Sequence, residues 1–339
     1  MKAVDSTSQF AEALGIGSHL LDALWRVESA NMAPIEAPVG YVVAGMGGSG
    51  VGGLLALGGL GNRLRRPMAV AQGYALPTWV DADTAVLVSS YSGGTEEALA
   101  CYDDATRRRA RRVVATTGGE LAERARADGV PVVPLPGGFQ PRAAVGYATV
   151  VALEIAALCG AAPSLRAEIE AAATLAERLA GEWAPDGSDD GPAKQIARRL
   201  NGSVPVVLGA ELTGPVAYRW KCQLNENAKM TAFWGQLPES DHNEICGWET
   251  GDAKLSAVLL SEPGLHERNR VRVELTGRLI EDAGVAVEHV EAQGETALER
   301  MVSLILLGDL VSLYSAVLRN VDPVDITSID RLKRELAAV

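Results

Sequence analysis

The chain has 339 residues, of which 47% are hydrophobic and 22% charged, and this is enough for two globular domains that each bury a core. Its net charge of −12 argues against a broad nucleic-acid surface, because such surfaces bind mainly through cationic contacts with phosphates. No uninterrupted apolar stretch approaches the length of a membrane helix, and the first residues lack a signal-peptide core. We therefore expect a cytoplasmic protein that binds neither membrane nor nucleic acid.

Short apolar strands alternate with helices along most of the chain, which predicts an α/β fold with a doubly wound parallel sheet. Residues 9–27 have the pattern of one amphipathic helix. The strands predicted in the first half are residues 41–44, 68–71, 85–89, 112–115 and 130–133. A long apolar helix over residues 143–157 and a second helix over 165–179 follow them.

Residues 183–192 have the composition of a linker, since they are rich in Pro, Gly, Asp and Ser and show no periodicity. They predict a boundary between a first domain, residues 1–182, and a second, residues 193–339. The alternation then resumes. Strands are predicted at 204–208, 231–234, 256–260 and 285–289, and helices at 214–229, near His242, at 266–282 and at 296–318.

Two strand-to-helix turns in the first half carry the most informative pattern. Residues 45–50 read GMGGSG, and residues 89–97 read SSYSGGTEE. Backbone N–H and hydroxyl groups at such turns can surround a phosphate without Lys or Arg. The corresponding turn of the second half, residues 208–214, keeps only a trace of this pattern, so one phosphate site is expected. Its predicted contacts are Gly47, Gly48, Ser49, Ser90, Ser92 and Thr95.

The first turn also matches the Gly-x-Gly-x-x-Gly fingerprint of dinucleotide-binding proteins. Such a site needs an acidic residue about twenty positions further on. Residues 51–80 contain no Asp or Glu, and no Gly-Lys-Ser/Thr of a P-loop follows the glycines. A ligand with a single phosphate is therefore favoured, with a structural glycine turn as the alternative.

With both turns in place, the chain resembles the sugar isomerase (SIS) superfamily. Four further segments resemble the bifunctional phosphoglucose/phosphomannose isomerases: residues 74–80, 141–147, 223–229 and 241–245. The resemblance implies two SIS subdomains, each with a flavodoxin-like sheet, and a homodimer with active sites at the subunit interface. It also implies interconversion of fructose 6-phosphate with glucose 6-phosphate and mannose 6-phosphate through a cis-enediolate, with no metal and no cofactor.

The same resemblance assigns roles to charged side chains. Glu226 matches the family's base for the C2 proton, and carboxylates suit that task. His242 matches a histidine that each subunit contributes to the active site of its partner, where it serves in ring opening, a step suited to imidazole. Lys333 matches a lysine that assists ring opening. Arg142 could face the enediolate or the phosphate; because a cation in a first helical turn opposes the helix dipole, a ligand or carboxylate partner is expected.

The chain departs from the family pattern at two places. Gly94 stands where the family commonly has Asn, and the usual Thr-Pro pair near the C-terminus is missing, so Thr327 is the candidate threonine at altered spacing. The mannose activity is therefore less secure than the glucose activity. A phosphosugar sensor and an isomerase of another phosphosugar remain alternatives, because the two turns recognise only the phosphate end. The remaining histidines, His19, His266 and His289, are expected at the surface.

Overall fold

The computed structural model describes residues 4–336 and 338 and contains two parallel sheets. The first sheet consists of β1 (Gly40–Ala44), β2 (Met68–Ala71), β3 (Thr84–Ser89), β4 (Arg111–Thr116) and β5 (Val132–Pro134). Their order is β2-β1-β3-β4-β5, the flavodoxin-like order. Every residue of β1 and β3 is buried, as expected for central strands that helices cover on both faces.

The second sheet repeats the first four positions of that order. It consists of β6 (Val204–Ala210), β7 (Phe233–Leu237), β8 (Leu255–Ser261) and β9 (Ala286–Glu291), arranged β7-β6-β8-β9. All its neighbouring strands pair in parallel. The predicted fold class is confirmed: two doubly wound sheets, one from each half of the chain.

Twelve α-helices surround the two sheets within the described residues. Those of the first half are α1 (Gln9–Leu14), α2 (Ile16–Ser29), α3 (Gly47–Leu60), α4 (Glu96–Arg107), α5 (Gly119–Ala127), α6 (Val145–Leu158) and α7 (Arg166–Trp183). Those of the second half are α8 (Pro192–Leu200), α9 (Thr213–Ala228), α10 (Glu267–Asp282), α11 (Ala297–Arg319) and α12 (Thr327–Leu336).

Two helix predictions were wrong. The single helix expected over residues 9–27 is divided at Gly15 into α1 and α2, and a side chain at Gly15 would approach the His19 ring to 3.1 Å. No α-helix forms near His242, where residues 239–242 and 244–248 form short 3-10 helices instead. The Asn243 side chain accepts the Glu244 N–H there, so a new turn begins at that residue instead of a continuous helix.

Helix α11 lies at the centre of the molecule and packs against α7, α8 and α9. It is the one helix of the described chain with the length and hydropathy of a membrane span, and 89% of its most apolar window is buried within the protein. A single cluster of buried apolar side chains includes residues of both halves, from Phe10 to Ala316. The segment between α7 and α8 consists of turns that Lys194 holds through the carbonyls of Pro185 and Gly187. The domain boundary at residues 183–192 stays a prediction.

Helices α3 and α9 cross this core side by side and point in opposite directions. A side chain at Gly58, near the end of α3, would contact Pro215 at the start of α9. A side chain at Gly48, at the start of α3, would contact Pro141 and Arg142, and Arg142 in turn meets the end of α9. Each end of the pair therefore combines the start of one helix with the end of the other.

Candidate active site

The first glycine turn joins β1 to α3, which begins at Gly47. A side chain on Gly48 would lie 2.5 Å from the Pro141 carbonyl oxygen, so only glycine allows the two segments to approach this closely. The first N–H groups of an α-helix have no acceptor within the helix, and together with the helix dipole they favour an anion. The start of α3 can therefore bind a phosphate.

The second turn, between β3 and α4, is shaped by its own hydroxyl groups. The hydroxyls of Ser90 and Thr95 lie 2.9 Å apart, and the Gly93 N–H donates to Ser90 Oγ at 3.1 Å. Gly94 donates its N–H to Ser92 Oγ at 3.3 Å. Because β1 and β3 are paired neighbours in the sheet, this turn lies beside the first one. All the predicted phosphate contacts of the two turns meet at the carboxyl edge of the first sheet.

Two glycines of the second turn should respond differently to substitution. At Gly93, φ is +70° and a side chain would collide with the Gly118 carbonyl, whereas no heavy atom lies within 4 Å of a side chain at Gly94. We expect Gly93→Ala to cost about 1–3 kcal/mol of stability and to weaken phosphosugar binding. Gly94→Asn, which restores the family's residue, should change stability by less than about 0.5 kcal/mol. Urea unfolding and calorimetric titration check this, and equal losses in both variants would contradict it.

The Arg142 side chain is 4% exposed and connects three parts of the chain. Its Nη1 donates to Glu226 Oε1 at 2.8 Å, and its Nε donates to Asn227 Oδ1 at 2.6 Å. Its Nη2 donates to the Pro323 carbonyl at 2.6 Å. Arg142 lies ahead of α6, which begins at Val145. The expected carboxylate partner is therefore present, and it is the predicted base, Glu226.

Lys229 fastens the C-terminal segment to this cluster. It ends α9 in the left-handed conformation, with φ of 50°. Its Nζ donates to the carbonyls of Glu226 and Asp322 at 2.8 Å and to that of Pro323 at 3.2 Å. Burial lowers the pKa of Lys229, and the nearby Arg142 cation adds to this effect. The sequence reasoning assigned Lys229 no role, although it closes the family segment of residues 223–229.

A pocket of about 350 Å³ opens beside Glu226. One wall is the end of α9, and the other is residues 325–329, which include Thr327 and Ser328. The Thr327 hydroxyl donates to Asp325 Oδ1 at 2.5 Å, and this bond lowers the pKa of the Asp325 carboxyl. Thr327 thus lines the same pocket as Glu226 despite its altered spacing. Sequence reasoning missed Asp325 and Ser328, which no motif marks.

A buried ion pair supports Arg142 from behind. Arg219, on α9, is 1% exposed, and its Nη2 donates to Asp309 Oδ2 at 2.6 Å and to the Arg142 carbonyl at 3.1 Å. Asn227 donates to Ser312 Oγ at 2.9 Å. Asp309 and Ser312, both on α11, thus accept hydrogen bonds from Arg219 and Asn227, two residues that contact Arg142. The sequence did carry a signal for this support, since Asp309 is the only charged residue between Met301 and Ala316.

The loop that leads to Arg142 is held by two aromatic rings. The Tyr91 hydroxyl donates to the Pro136 carbonyl and accepts the Phe139 N–H, both at 2.9 Å. His19 packs against Phe139 and Tyr147, with ring centroids 4.8 and 5.3 Å away. The prediction that His19 lies at the surface was wrong, because its side chain is 7% exposed. Burial lowers the pKa of His19. His266 and His289 are exposed as expected.

His242 and Lys333 do not join this cluster within one chain. Helix α9 begins at the carboxyl edge of the second sheet and runs back toward the opposite edge, where Glu226 lies near its end. His242 follows strand β7 and therefore lies at the carboxyl edge. From Thr213 to Glu226 the helix spans about 20 Å at about 1.5 Å per residue. Lys333 is exposed on α12. Over residues 4–336, no hydrogen bond or ion pair joins either side chain to Glu226 or Arg142.

The two parallel sheets, with glycine- and hydroxyl-rich turns at the carboxyl edge of the first, are features of the class of SIS-domain proteins. Residues 189–336 match the family model of the bacterial phospho-glucose isomerase C-terminal SIS domain. The tagatose-6-phosphate ketose/aldose isomerase from Escherichia coli shares the fold, with a TM-score of 0.71 at 12% identity over 95% of this chain and 96% of that one.

Two curated relatives narrow the class. The chain is 37% identical over 303 residues to the bifunctional phosphoglucose/phosphomannose isomerase of Caldicellulosiruptor bescii, covering 88% of this chain and 89% of the relative. It is 35% identical over 316 residues to the enzyme of the same name from Aquifex aeolicus, covering 92% and 94%. The chain belongs to the bifunctional phosphoglucose/phosphomannose isomerase family.

Proposed function

We propose that the protein is an aldose–ketose isomerase that interconverts fructose 6-phosphate with glucose 6-phosphate and mannose 6-phosphate. The observation that carries the proposal is a series of contacts: the start of α3 at Gly48 packs against Arg142, and Arg142 donates a hydrogen bond to Glu226. This series supports a ligand position with the proposed anion site at one end and the Glu226 carboxylate at the other. The family relatives match this chain over about nine tenths of its length, which supports the same activity. We also propose a cytoplasmic location and a subdomain boundary within residues 183–192.

In this proposal the two turns hold the phosphate through Gly47, Gly48, Ser49, Ser90, Ser92 and Thr95. Glu226 takes the proton from C2 of the aldose and returns it to C1, and the reverse reaction uses the same group. Arg142 has five N–H donors, of which four are occupied by Gln140, Glu226, Asn227 and Pro323. The one that remains, on Nη2, can stabilise an enediolate oxygen. Thr327 lines the C1–C2 end of the pocket.

Ring opening requires a second proton-transfer group, and we assign it to His242 of the partner subunit, assisted by Lys333. The distance between the two edges of the second sheet keeps the chain's own histidine away from Glu226. Helix α12 also has an exposed apolar stripe: Ile329, Leu332 and Leu336 are 39%, 66% and 53% exposed. Such a stripe favours burial against another surface. Both features support a homodimer with shared active sites.

Hybrid dimers should reveal whether the histidine acts across the interface. Glu226→Gln and His242→Ala are each expected to be inactive alone. In a mixture refolded or coexpressed at equal amounts, half of the dimers are hybrids with one intact site, so activity should return to about one quarter of the wild-type value. If His242 acts within its own chain, every site keeps one defect and the mixture stays inactive. Mass spectrometry of the mixture provides the control that hybrids formed.

The overall proposal is tested by incubating the protein with fructose 6-phosphate in D₂O. We expect deuterium at C2 of glucose 6-phosphate, and of mannose 6-phosphate if the pocket accepts both epimers. Activity should persist after dialysis against a chelator, since the proposed mechanism uses only side chains. A folded dimer that yields no deuterated aldose phosphate would disprove the isomerase proposal. Parallel incubation with other ketose phosphates distinguishes an isomerase of a different phosphosugar.

A further inference from the structure

A second pocket lies at the carboxyl edge of the second sheet, and none of its lining residues belongs to the proposed active site. Its volume is about 680 Å³, larger than the pocket beside Glu226. The end of α3, the turn between β6 and α9, strand β7 and the start of α10 form its walls. Pockets at this position of open parallel sheets are the usual ligand sites, because neighbouring strand-to-helix turns diverge there.

The second pocket is the internal counterpart of the proposed active site. The active site combines the start of α3 with the end of α9, which carries Glu226. The second pocket combines the start of α9, at Leu212 and Pro215, with the end of α3, at Gly58, and the turn after it, at Asn62. The antiparallel packing of the two helices therefore produces one pocket at each end. Where α9 presents the carboxylate of Glu226, the turn after α3 presents the amide of Asn62.

The turn of the second pocket is not suited to phosphate. Glu211 adopts a φ of +50° between β6 and α9, and its carboxylate faces the start of α10. It accepts the Asn269 side-chain amide at 2.5 Å and the His266 backbone N–H at 3.2 Å. The Glu211 carboxylate thus accepts from the His266 N–H and the Asn269 amide, which an anionic ligand could otherwise use. Its negative charge also repels an anion.

The walls of the pocket match a sugar without phosphate. The rings of Tyr218 and Trp234 lie 5.2 Å apart at 63°, and both line the pocket while half-buried. Aromatic faces pack against the C–H surface of a pyranose, and a carboxylate and amides pair with its hydroxyl groups. Glu211, Gln236 and Asn62 supply those polar groups around the aromatic pair. This mixture of apolar area and few polar groups is typical of small-molecule sites.

We propose that this pocket binds an unphosphorylated hexopyranose and performs no chemistry on it. The protein would then hold a phosphosugar at one end of the α3–α9 pair and a neutral sugar at the other. The neutral sugar has the same ring as the proposed substrates but lacks the group that the first pocket recognises. The two pockets therefore discriminate between the two ligands by the presence of phosphate.

The proposal is tested with the full-length protein by calorimetric titration and saturation-transfer NMR, with glucose and mannose as probes. We expect saturable binding in the millimolar range that persists in Glu226→Gln and in the presence of saturating glucose 6-phosphate. Glu211→Ala and Gln236→Ala should each weaken binding by about tenfold, the loss of one hydrogen bond to a charged or polar group. Isomerase activity and the unfolding midpoint should stay unchanged in both variants, which shows that they fold.

Two outcomes overturn the proposal. The first is the absence of saturable binding of either hexose to the wild-type protein. The second is binding that glucose 6-phosphate displaces or that both pocket variants retain at full strength, because the sugar then occupies the active site or another surface. Trp234→Leu provides a further check, since it removes the aromatic face and should abolish the saturation-transfer signal of the sugar C–H groups.

Discussion

Glu226→Gln is expected to lower the rate of isomerisation by about 10²–10⁴-fold or more, the range that one acid–base group contributes. The amide has the shape of the carboxylate but cannot accept the C2 proton. It can still accept a hydrogen bond from Arg142, whose Nη1 lies 2.8 Å from Glu226 Oε1. Phosphosugar binding should therefore change little, because the turns proposed to bind the phosphate and Arg142 stay in place.

The measurement is the initial rate of aldose phosphate formation together with deuterium incorporation from D₂O. Calorimetric titration with glucose 6-phosphate gives the affinity separately. Glu123→Gln, at an exposed position of α5, is the matched control and should keep the wild-type rate. A Glu226→Gln protein that still exchanges the C2 proton at the wild-type rate would remove Glu226 from the mechanism.

Asp309→Asn is expected to destabilise the protein by about 3–5 kcal/mol, because it leaves the buried Arg219 cation without a counter-charge. Asp309 is 6% exposed and Arg219 1%, so water cannot replace the missing charge. The rate should fall as well, since Arg219 also donates to the Arg142 carbonyl. Urea unfolding and steady-state kinetics measure the two effects.

Two further variants make this result interpretable. Replacing both partners, Arg219→Met with Asp309→Leu, removes the uncompensated charge and should recover part of the stability but not the rate. Asp282→Asn, at an exposed position at the end of α10, is the control and should change stability by less than about 0.5 kcal/mol. If Asp309→Asn is as stable as this control, the ion pair contributes nothing to the core.

The elements that sequence predicted well are those whose signal is local. Strands β1 and β3 are continuous β-branched and apolar runs, and each turn that follows them has glycines or hydroxyls where the backbone needs them. The burial of His19 was missed, because it depends on packing against α6 and the loop at Phe139. An amphipathic pattern records which face is buried but not where the helix is interrupted.

The contacts of the candidate site are mostly between distant parts of the chain. Arg142 and Glu226 are separated by 84 residues, and the Pro323 carbonyl lies 181 residues from Arg142. Family segments marked the first two residues, but a backbone carbonyl carries no sequence signal. Lys229 and Asp309 could be recognised only as charges in unusual surroundings. The role that we propose for His242 depends on a second chain, which one sequence does not describe.

The shared core around α11 has a consequence for how a ligand enters. In many two-domain enzymes, lobes rotate about a hinge to admit and enclose the substrate. Here the apolar cluster continues from Phe10 to Ala316 across both halves, so rotation of one half against the other would expose part of the core to water. We therefore expect substrate to enter through movement of smaller elements at the rim, such as residues 325–329 and helix α12, without rotation of the two halves.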